Sequence, residues 1–550
     1  MIIELKLCSL NASRVVCTTS LHHATSPSML SCSNPHVRST ISVVLIEAGD
    51  LAKIREWAPQ EGLFSNRVSS ITNASQTFLE GIGAWQHVDE SRTMPMEEMQ
   101  VWDGLSDARI TYTASELGFL HHNRPQMARL TENLNLQRAL LRYLSSLPEV
   151  RLFDNTKVSN IAREGGGSPL VNLSTGRVLR ARLLVGADGH NSPVRSYAHI
   201  DSYGWSYPTH AVVATLTHAP RPLLQNRTAY QRFLPTGPIA FLPLSPTTSS
   251  LVWSTRPALA RVLSRDVEGA VLARMVNAAF RLPETSLRYL HQVLTDAAEN
   301  ASAATPAQIE EEIAFRERAH AIPPTSPLSS LAGPTSAGLP PEDAELYPPL
   351  VTGVQSGTAA SFPLRYSHAD AYVGARTVLV GDAAHTVHPL AGQGLNMGLM
   401  DVAALAGCVA DAVRAGGDIG AYTALAPYAR ARYLENHKLL SAVDKLHKLY
   451  ASTAAPLVWA RSVGLEVVNE LDAVKAALMM SAGADSVSVD RERDRVWGSA
   501  DPLVWGAVAK GVEGLAGAVG AAAMLGQVVK GAVGNGIQGL LRDAAEQRRV

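Results

Sequence analysis

The sequence predicts an α/β fold interrupted by a second, β-rich domain, and three observations carry that reading. Short buried strands alternate with helical patterns towards both ends of the chain. A central block of strand-like runs separates them, and two of the flanking strands end in the same small-residue turn containing an aspartate. With 550 residues, of which 46% are apolar and 18% charged, the chain can bury a large core and global disorder is excluded. The 48 basic and 49 acidic residues leave a net charge of -1, which argues against a protein that grips nucleic acid through many phosphate contacts.

Residues 1–40 are poor in acids and rich in serine, the composition of an organelle transit peptide, although only two arginines are present. Cys8, Cys17, Cys32 and Cys408 match neither a zinc spacing nor a disulfide framework and read as free thiols. The region 41–200 opens with SVVLIE at 42–47, a buried strand closed by the turn signal AGD. Helical spacing follows at Leu134–Leu147, then a strand at Arg182–Ala187 ending in ADG. Within 201–300, the runs AVVATL, PIAFLPL and SSLVWS predict an antiparallel sheet over 211–253, and Arg261–Leu294 is helical in pattern. Nine prolines with many Ala and Ser make 301–350 read as an extended, exposed insertion.

Regular structure resumes in 351–425, where RTVLVGD at 376–382 is a third buried strand running through a glycine-rich turn into a helix from about Leu395 to Val413. The next region, 426–485, carries an amphipathic helix over Tyr428–Tyr450, with Arg430, Arg432, Lys438, Lys445 and Lys448 on a face expected to be solvated. The last region, 486–550, is a Gly/Ala-rich tail. Its apolar run Gly514–Val529 falls short of the roughly 20 residues that span a bilayer, and reads either as a docking tail or as a flexible one.

Two elements carry chemistry. Gly381–Asp382–Ala383–Ala384–His385 ends a strand, and Pro389–Leu390–Ala391–Gly392–Gln393–Gly394–Leu395–Asn396 enters a helix. An aspartate among small residues can accept hydrogen bonds from a polyol without crowding it, and the glycines permit close backbone approach and leave amide donors at the helix start. The second element, Val185 to Arg195, repeats the logic, with Asp188–Gly189 in the turn and Ser192–Pro193 opening a helix. His385 and His388 have no third ligand at usable spacing, so no metal is expected.

These two elements, about 190 residues apart and in this order, resemble the paired motifs of the group A flavin-dependent aromatic hydroxylases. The sequence is more similar still to the mitochondrial ubiquinone-biosynthesis monooxygenases. EAGDL at 47–51, FSNRVSSIT at 64–72, IGAWQHV at 82–88, EEMQVWDG at 97–104 and ENLNLQRALL at 132–141 carry that resemblance. So do SFPLRYSHAD at 361–370, the whole of 378–404, and GLEVVNELDAVKAALMMSAG at 464–483. The resemblance implies a discontinuous Rossmann-like FAD-binding domain, an inserted β-sheet substrate domain and a C-terminal helical region. It implies that Glu47 holds the adenosine ribose, Arg67 contacts the pyrophosphate or ring region, and Gln137 touches the flavin. Asp188 and Gly189 belong to the motif for flavin and reduced nicotinamide, and Gly381 and Asp382 to the ribityl site. Pro389, Gly392, Gly394, Leu395 and Asn396 correspond to the loop against the flavin ring. The implied reaction is C5 hydroxylation of a 3-polyprenyl-4-hydroxybenzoate-type ring by O2 through a flavin C4a-hydroperoxide. No acid/base dyad is visible in the sequence. Electrons would come from NAD(P)H, directly or through a ferredoxin and its reductase, in a peripheral complex on the matrix side of the mitochondrial inner membrane.

One departure stands out. The family opens with a strand and G-x-G-x-x-G ahead of the ribose-binding acid, yet no glycine precedes Gly49. Two explanations compete: a missing or mispredicted first exon, or a chain that has lost tight FAD binding and serves as a subunit of the biosynthetic complex. Epoxidation or prenyl-chain reduction on the same fold is a further alternative, since fold alone does not choose the reaction.

Overall fold

The computed structural model describes residues 14–19, 41–117, 126–165, 167–221, 225–300, 302, 304–331 and 345–481. Two sheets organise them. The first has six strands in the order Val373–Gly374, Thr377–Leu379, Leu183–Gly186, Arg14–Thr19, Ser42–Glu47, Val150–Phe153. SVVLIE is buried at every position, as a β-branched and aliphatic run enclosed on both faces must be. Helices Asn133–Ser145 and Gly394–Arg414 supply Ala139, Leu140, Leu399, Val402 and Leu405 to the same core.

Strand direction positions the site. Leu183–Gly186 lies parallel to Thr377–Leu379, and Ser42–Glu47 parallel to Val150–Phe153. Arg14–Thr19 sits between the two halves, antiparallel to both neighbours, with Arg14 opposite Glu47 and Val15 opposite Gly186. The strands ending in Glu47, Gly186 and Leu379 therefore finish at one edge, where α/β sheets bind ligands. Gly186 is required there, because a Cβ would sit 2.9 Å from both Leu379 and Val194 and push away the short helix Pro193–Tyr197.

The second sheet is mainly antiparallel. Ser202–His218 lies at its heart, paired with Thr248–Thr255 on one side and Ala360–Ala369 on the other. Helices Gly269–Arg281, Glu284–Glu299 and Pro306–Ala319 cover one face, over Trp253, Phe241, Phe280, Leu287, Ile309 and Ile313. The pairing of Ala360–Ala369 with the two-residue strand His385–Thr386 puts His368 opposite His385 and joins this sheet to the first domain.

Three expectations need correction. Residues 301–350 are not simply extended, because Pro306–Ala319 is a helix. Thr305 and Gln308 form a capping box, Pro306 occupies the first turn where it starts a helix rather than breaking one, and Ile309 and Ile313 are fully buried. The predicted helix Arg261–Leu294 is divided twice, at Val267–Glu268 after a π-helical turn over Val262–Asp266 and again at Leu282–Pro283, where the helix Glu284–Glu299 starts afresh. The helix expected from Tyr428 runs from Tyr422 to Ala451, and its basic face is not all solvated: Arg432 turns inward, onto Asp401. The run Gly514–Val529, with all of 482–550, lies outside the described residues, as do Cys8 and Cys32.

Candidate active site at the carboxyl edge of the sheet

Glu47 is completely buried at the end of its strand, and its Oε1 accepts from Gly49 N at 2.6 Å. The turn beyond is closed by Thr156 N donating to Glu47 O at 2.8 Å. Two strands along, beyond Arg14–Thr19, Asp188 is buried just past the end of Leu183–Gly186. Its Oδ2 accepts from Val194 N at 3.0 Å, which ties the turn to the following helix. Its Oδ1 is buried without a protein partner. Burial raises the Asp188 pKa, against hydrogen bonds from Ser192 and Val194 that lower it. Gly189 takes a left-handed conformation (φ 82°) with open space where a Cβ would lie.

Arg195 joins the two aspartate turns. Its Nη2 donates to His190 O at 2.7 Å and its Nη1 to Ala383 O at 2.7 Å, across 188 residues of sequence. Replacing it with Met leaves both carbonyls without this donor and removes charge-assisted bonds worth about 1.5–3 kcal/mol each. We expect Arg195→Met to weaken FAD affinity roughly ten- to a hundredfold, the equivalent of about 1.4–2.8 kcal/mol. A titration followed by the visible flavin band checks this, and an unchanged dissociation constant would refute it.

The 381–396 segment is held from beneath by residues the sequence did not single out. Gly381, in a left-handed turn, donates its N–H to Asp401 Oδ2 at 3.0 Å, and His385 Nε2 lies 2.6 Å from the same oxygen. Asp401 Oδ1 accepts from Arg432 Nε and Asn436 Nδ2, both at 2.9 Å. Asp382 itself stays half-buried at the sheet edge. Pro389 opens a single 3-10 turn that ends at Gly392, which is exposed and left-handed (φ 60°). Gly394 and Leu395 begin the long helix, both half-buried.

Asn396 commits its side chain to protein. Its Nδ2 donates to Ser70 O at 2.8 Å, and its Oδ1 accepts from Thr72 N at 3.1 Å. It therefore pins the loop to the Val68–Thr72 strand. Arg67, just before that strand, is exposed, and Gln137 is buried on helix Asn133–Ser145. Glu47, Asp188 and Asp382 thus lie at or just past the ends of strands that finish at one edge, and the glycine loop follows Asp382 in the chain.

These groups suit the sugar and ring portions of a flavin dinucleotide, since Asp188 Oδ1 is buried without a protein partner and the left-handed Gly189 leaves open space beside it in the turn. The pyrophosphate is different. Arg14–Thr19 runs opposite to its neighbours, so its carboxyl end lies at the far edge, and among the described residues no glycine-rich turn leads from the sheet centre to a helix.

Comparison with known proteins decides the family. The family described as FAD binding domain matches residues 57–282 and 347–431. The ubiquinone biosynthesis monooxygenase COQ6, mitochondrial, of Schizosaccharomyces pombe is 37% identical over 455 residues, 80% of this chain and 86% of that protein. This chain belongs to the COQ6 family.

Its Xenopus tropicalis member is 38% identical, covering 82% of this chain and 89% of that one, and the human member 36%, covering 80% and 86%. COQ6 proteins are FAD-dependent monooxygenases of ubiquinone biosynthesis, and the fold agrees. The p-nitrophenol 4-monooxygenase PnpA of Pseudomonas putida superposes with a TM-score of 0.54 at 14% identity, covering 82% of this chain and 93% of that one. A variant of Klebsiella pneumoniae HpxO complexed with FAD gives 0.50 at 14% identity, covering 76% and 90%. The Pro306–Ala319 helix falls in the gap between the two matched stretches of the COQ6-family chain.

Proposed function

We propose that this chain hydroxylates C5 of a 3-polyprenyl-4-hydroxybenzoate-type ring with O2, as a peripheral protein on the matrix side of the mitochondrial inner membrane. The observation that carries the reading is the convergence of Glu47, Asp188 and Asp382 at one sheet edge, beside the Pro389–Asn396 loop, in a COQ6-family chain.

Glu47 would hold the adenosine ribose, Asp382 with Gly381 the ribityl chain, and Asp188 with Gly189 would serve both the flavin and the reduced nicotinamide. Arg67 and Gln137 would complete the contacts. Pro389, Gly392, Gly394 and Leu395 would face the ring, while Asn396 fixes that loop to Ser70 and Thr72. Bound flavin supplies the activation of O2. The protein's part is orientation and exclusion of water. Electrons from NAD(P)H, directly or through a ferredoxin relay, and assembly within a ubiquinone-biosynthesis complex belong to the same reading. Membrane contact is supported by helix Ala455–Asn469, where Leu457, Trp459, Val463 and Val467 are exposed, Trp459 to 62%.

A second reading, an FAD-deficient subunit of the same assembly, is favoured by the reversed Arg14–Thr19 strand. One experiment separates them. The purified chain is titrated with FAD, then given reductant, O2 and either a prenylated or an unprenylated 4-hydroxybenzoate. We expect a visible flavin band and ring hydroxylation of the prenylated compound. A colourless chain that acquires no band with FAD would sink the enzymatic reading, and product from unprenylated phenols alone would overturn the substrate class.

A further inference from the structure

Three buried rings from three distant segments meet beside the Pro389 loop. Tyr207 comes from strand Ser202–His218, His388 from the residue before Pro389, and His447 from helix Tyr422–Ala451. The centroid of Tyr207 lies 5.0 Å from that of His388 and 4.8 Å from that of His447, and the two histidines are 4.7 Å apart. All three are more than nine-tenths buried, with 6%, 1% and 7% exposure respectively.

Their hydrogen bonding is incomplete in a specific way. Leu390 N–H donates to His388 Nδ1 at 3.2 Å, so in the neutral ring the proton is on Nε2. Burial, reinforced by His447, pushes the His388 pKa down to about 3, which keeps that ring neutral. Its Nε2–H is buried with no partner, and so is His447 Nδ1. The Tyr207 hydroxyl is already engaged, donating to Asp444 Oδ1 at 2.9 Å, while Lys448 Nζ holds Asp444 Oδ2 at 2.7 Å. Each buried polar atom left unpaired costs about 1–3 kcal/mol. Packing alone does not call for them, since Phe would fill the same space without that cost.

We propose that His388 and His447 together receive the ionisable hydroxyl of the phenolic substrate. The assignment rests on the substrate class proposed above. The phenol oxygen accepts from His388 Nε2–H and its O–H donates to His447 Nδ1. The O–H bond then breaks, the proton forms an N–H bond on His447, and the electron pair stays on oxygen. The resulting phenolate keeps its hydrogen bond from His388; burial holds the His447 pKa below its ordinary value, and Asp444 opposes that by favouring the imidazolium that forms. The negative oxygen enriches the ortho ring carbon, which is C5 in the proposed substrate. The other titratable groups facing this cluster are Tyr207 and Tyr366 from the sheet, and Asp444 and Lys448 from the helix.

The test follows the phenol rather than turnover. FAD-loaded enzyme without reductant is mixed with 4-hydroxybenzoate bearing a short prenyl chain, and phenolate ultraviolet absorbance is recorded against pH. In the wild-type protein the bound phenol should ionise about one pH unit or more below the free compound, a tenfold preference for phenolate. His388→Phe and His447→Phe should return it to the free value and weaken binding roughly tenfold. The 4-methoxy analogue, which has no proton to give, should bind the wild type and His447→Phe alike. Should either variant fail to fold, the wild-type titration decides alone, because an unshifted bound phenol overturns the assignment. Wild-type protein that binds no prenylated phenol at all defeats the substrate reading and this site with it. Hydroxylation of the prenylated phenol with an unaltered pH profile in both variants defeats the histidine assignment alone.

Discussion

Asp401→Asn is expected to cost the fold about 3–5 kcal/mol at neutral pH. The wild-type carboxylate has no exposure and collects four contacts: His385 Nε2 at 2.6 Å, Arg432 Nε and Asn436 Nδ2 at 2.9 Å, and Gly381 N at 3.0 Å. An amide offers one acceptor oxygen and sets its own N–H2 against donors, leaving the half-buried Arg432 without its counter-charge. Burial by itself would raise the Asp401 pKa, but His385, Arg432 and Asn436 outweigh it and hold the carboxyl well below the usual range. The sign follows: a depressed folded pKa gives stability that is fully present above the unfolded value, about 3.9, and is lost as pH falls below it. Urea unfolding of wild type and variant should therefore differ most at neutral pH and converge in acid. A difference under about 1 kcal/mol at neutral pH would remove the network from any account of the site. Because Gly381 and His385 both hang on this carboxylate, the variant should also bind FAD more weakly.

Arg461→Met should be as damaging, at a different place. Arg461 Nε and Nη2 form a fork on Asp103 at 2.6 and 3.0 Å, with both side chains buried. Its Nη1 donates to Leu449 O and Ser452 O, both at 2.8 Å, at the turn between the last two long helices. Removing the guanidinium strands Asp103 and frees that turn, at about 3–5 kcal/mol. Limited proteolysis should then cut near 452–454 under conditions in which the wild type resists. The double variant Asp103→Leu, Arg461→Met should recover much of the loss, because a buried pair replaced as a whole by apolar groups is often close to neutral. A double variant no more stable than the single one would assign the loss to packing instead.

Much of the edge was legible because its signals are local. SVVLIE at 42–47 and the aspartate–small-residue turns at 188 and 382 each lie within about ten residues, and periodicity or turn chemistry is enough to read them. The same applies in principle to helix Pro306–Ala319, whose Thr305–Gln308 cap was overshadowed by the prolines around it. What escaped is pairing at a distance. Arg432 sits on a face of helix Tyr422–Ala451 that reads as solvated, and nothing in its neighbourhood announces Asp401, 31 residues away. A trace existed: Asp401 is a lone carboxylate in the apolar run from Leu395 to Val409. For Tyr207, His388 and His447 there was none, since the three come from segments up to 240 residues apart and meet only because two domains close on each other. Strand Arg14–Thr19 was unreadable for another reason, as a six-residue run in a serine-rich leader has no context to mark it.

The parallel pairing of Gly186 with Leu379 has a consequence for synthesis. Between the emergence of one strand and the other, a ribosome adding about 5–20 residues per second needs roughly 10–40 s. During that time Leu183–Gly186 offers one bare, apolar flank to the surroundings, and the antiparallel sheet is already growing from the intervening chain. The nascent protein thus passes its early life as a growing inner sheet flanked by an unfinished outer one. Helpers that shield unpaired strand edges should matter most in that interval, and substitutions that slow pairing at Val378 should show as lower yield of intact protein before they show as altered chemistry.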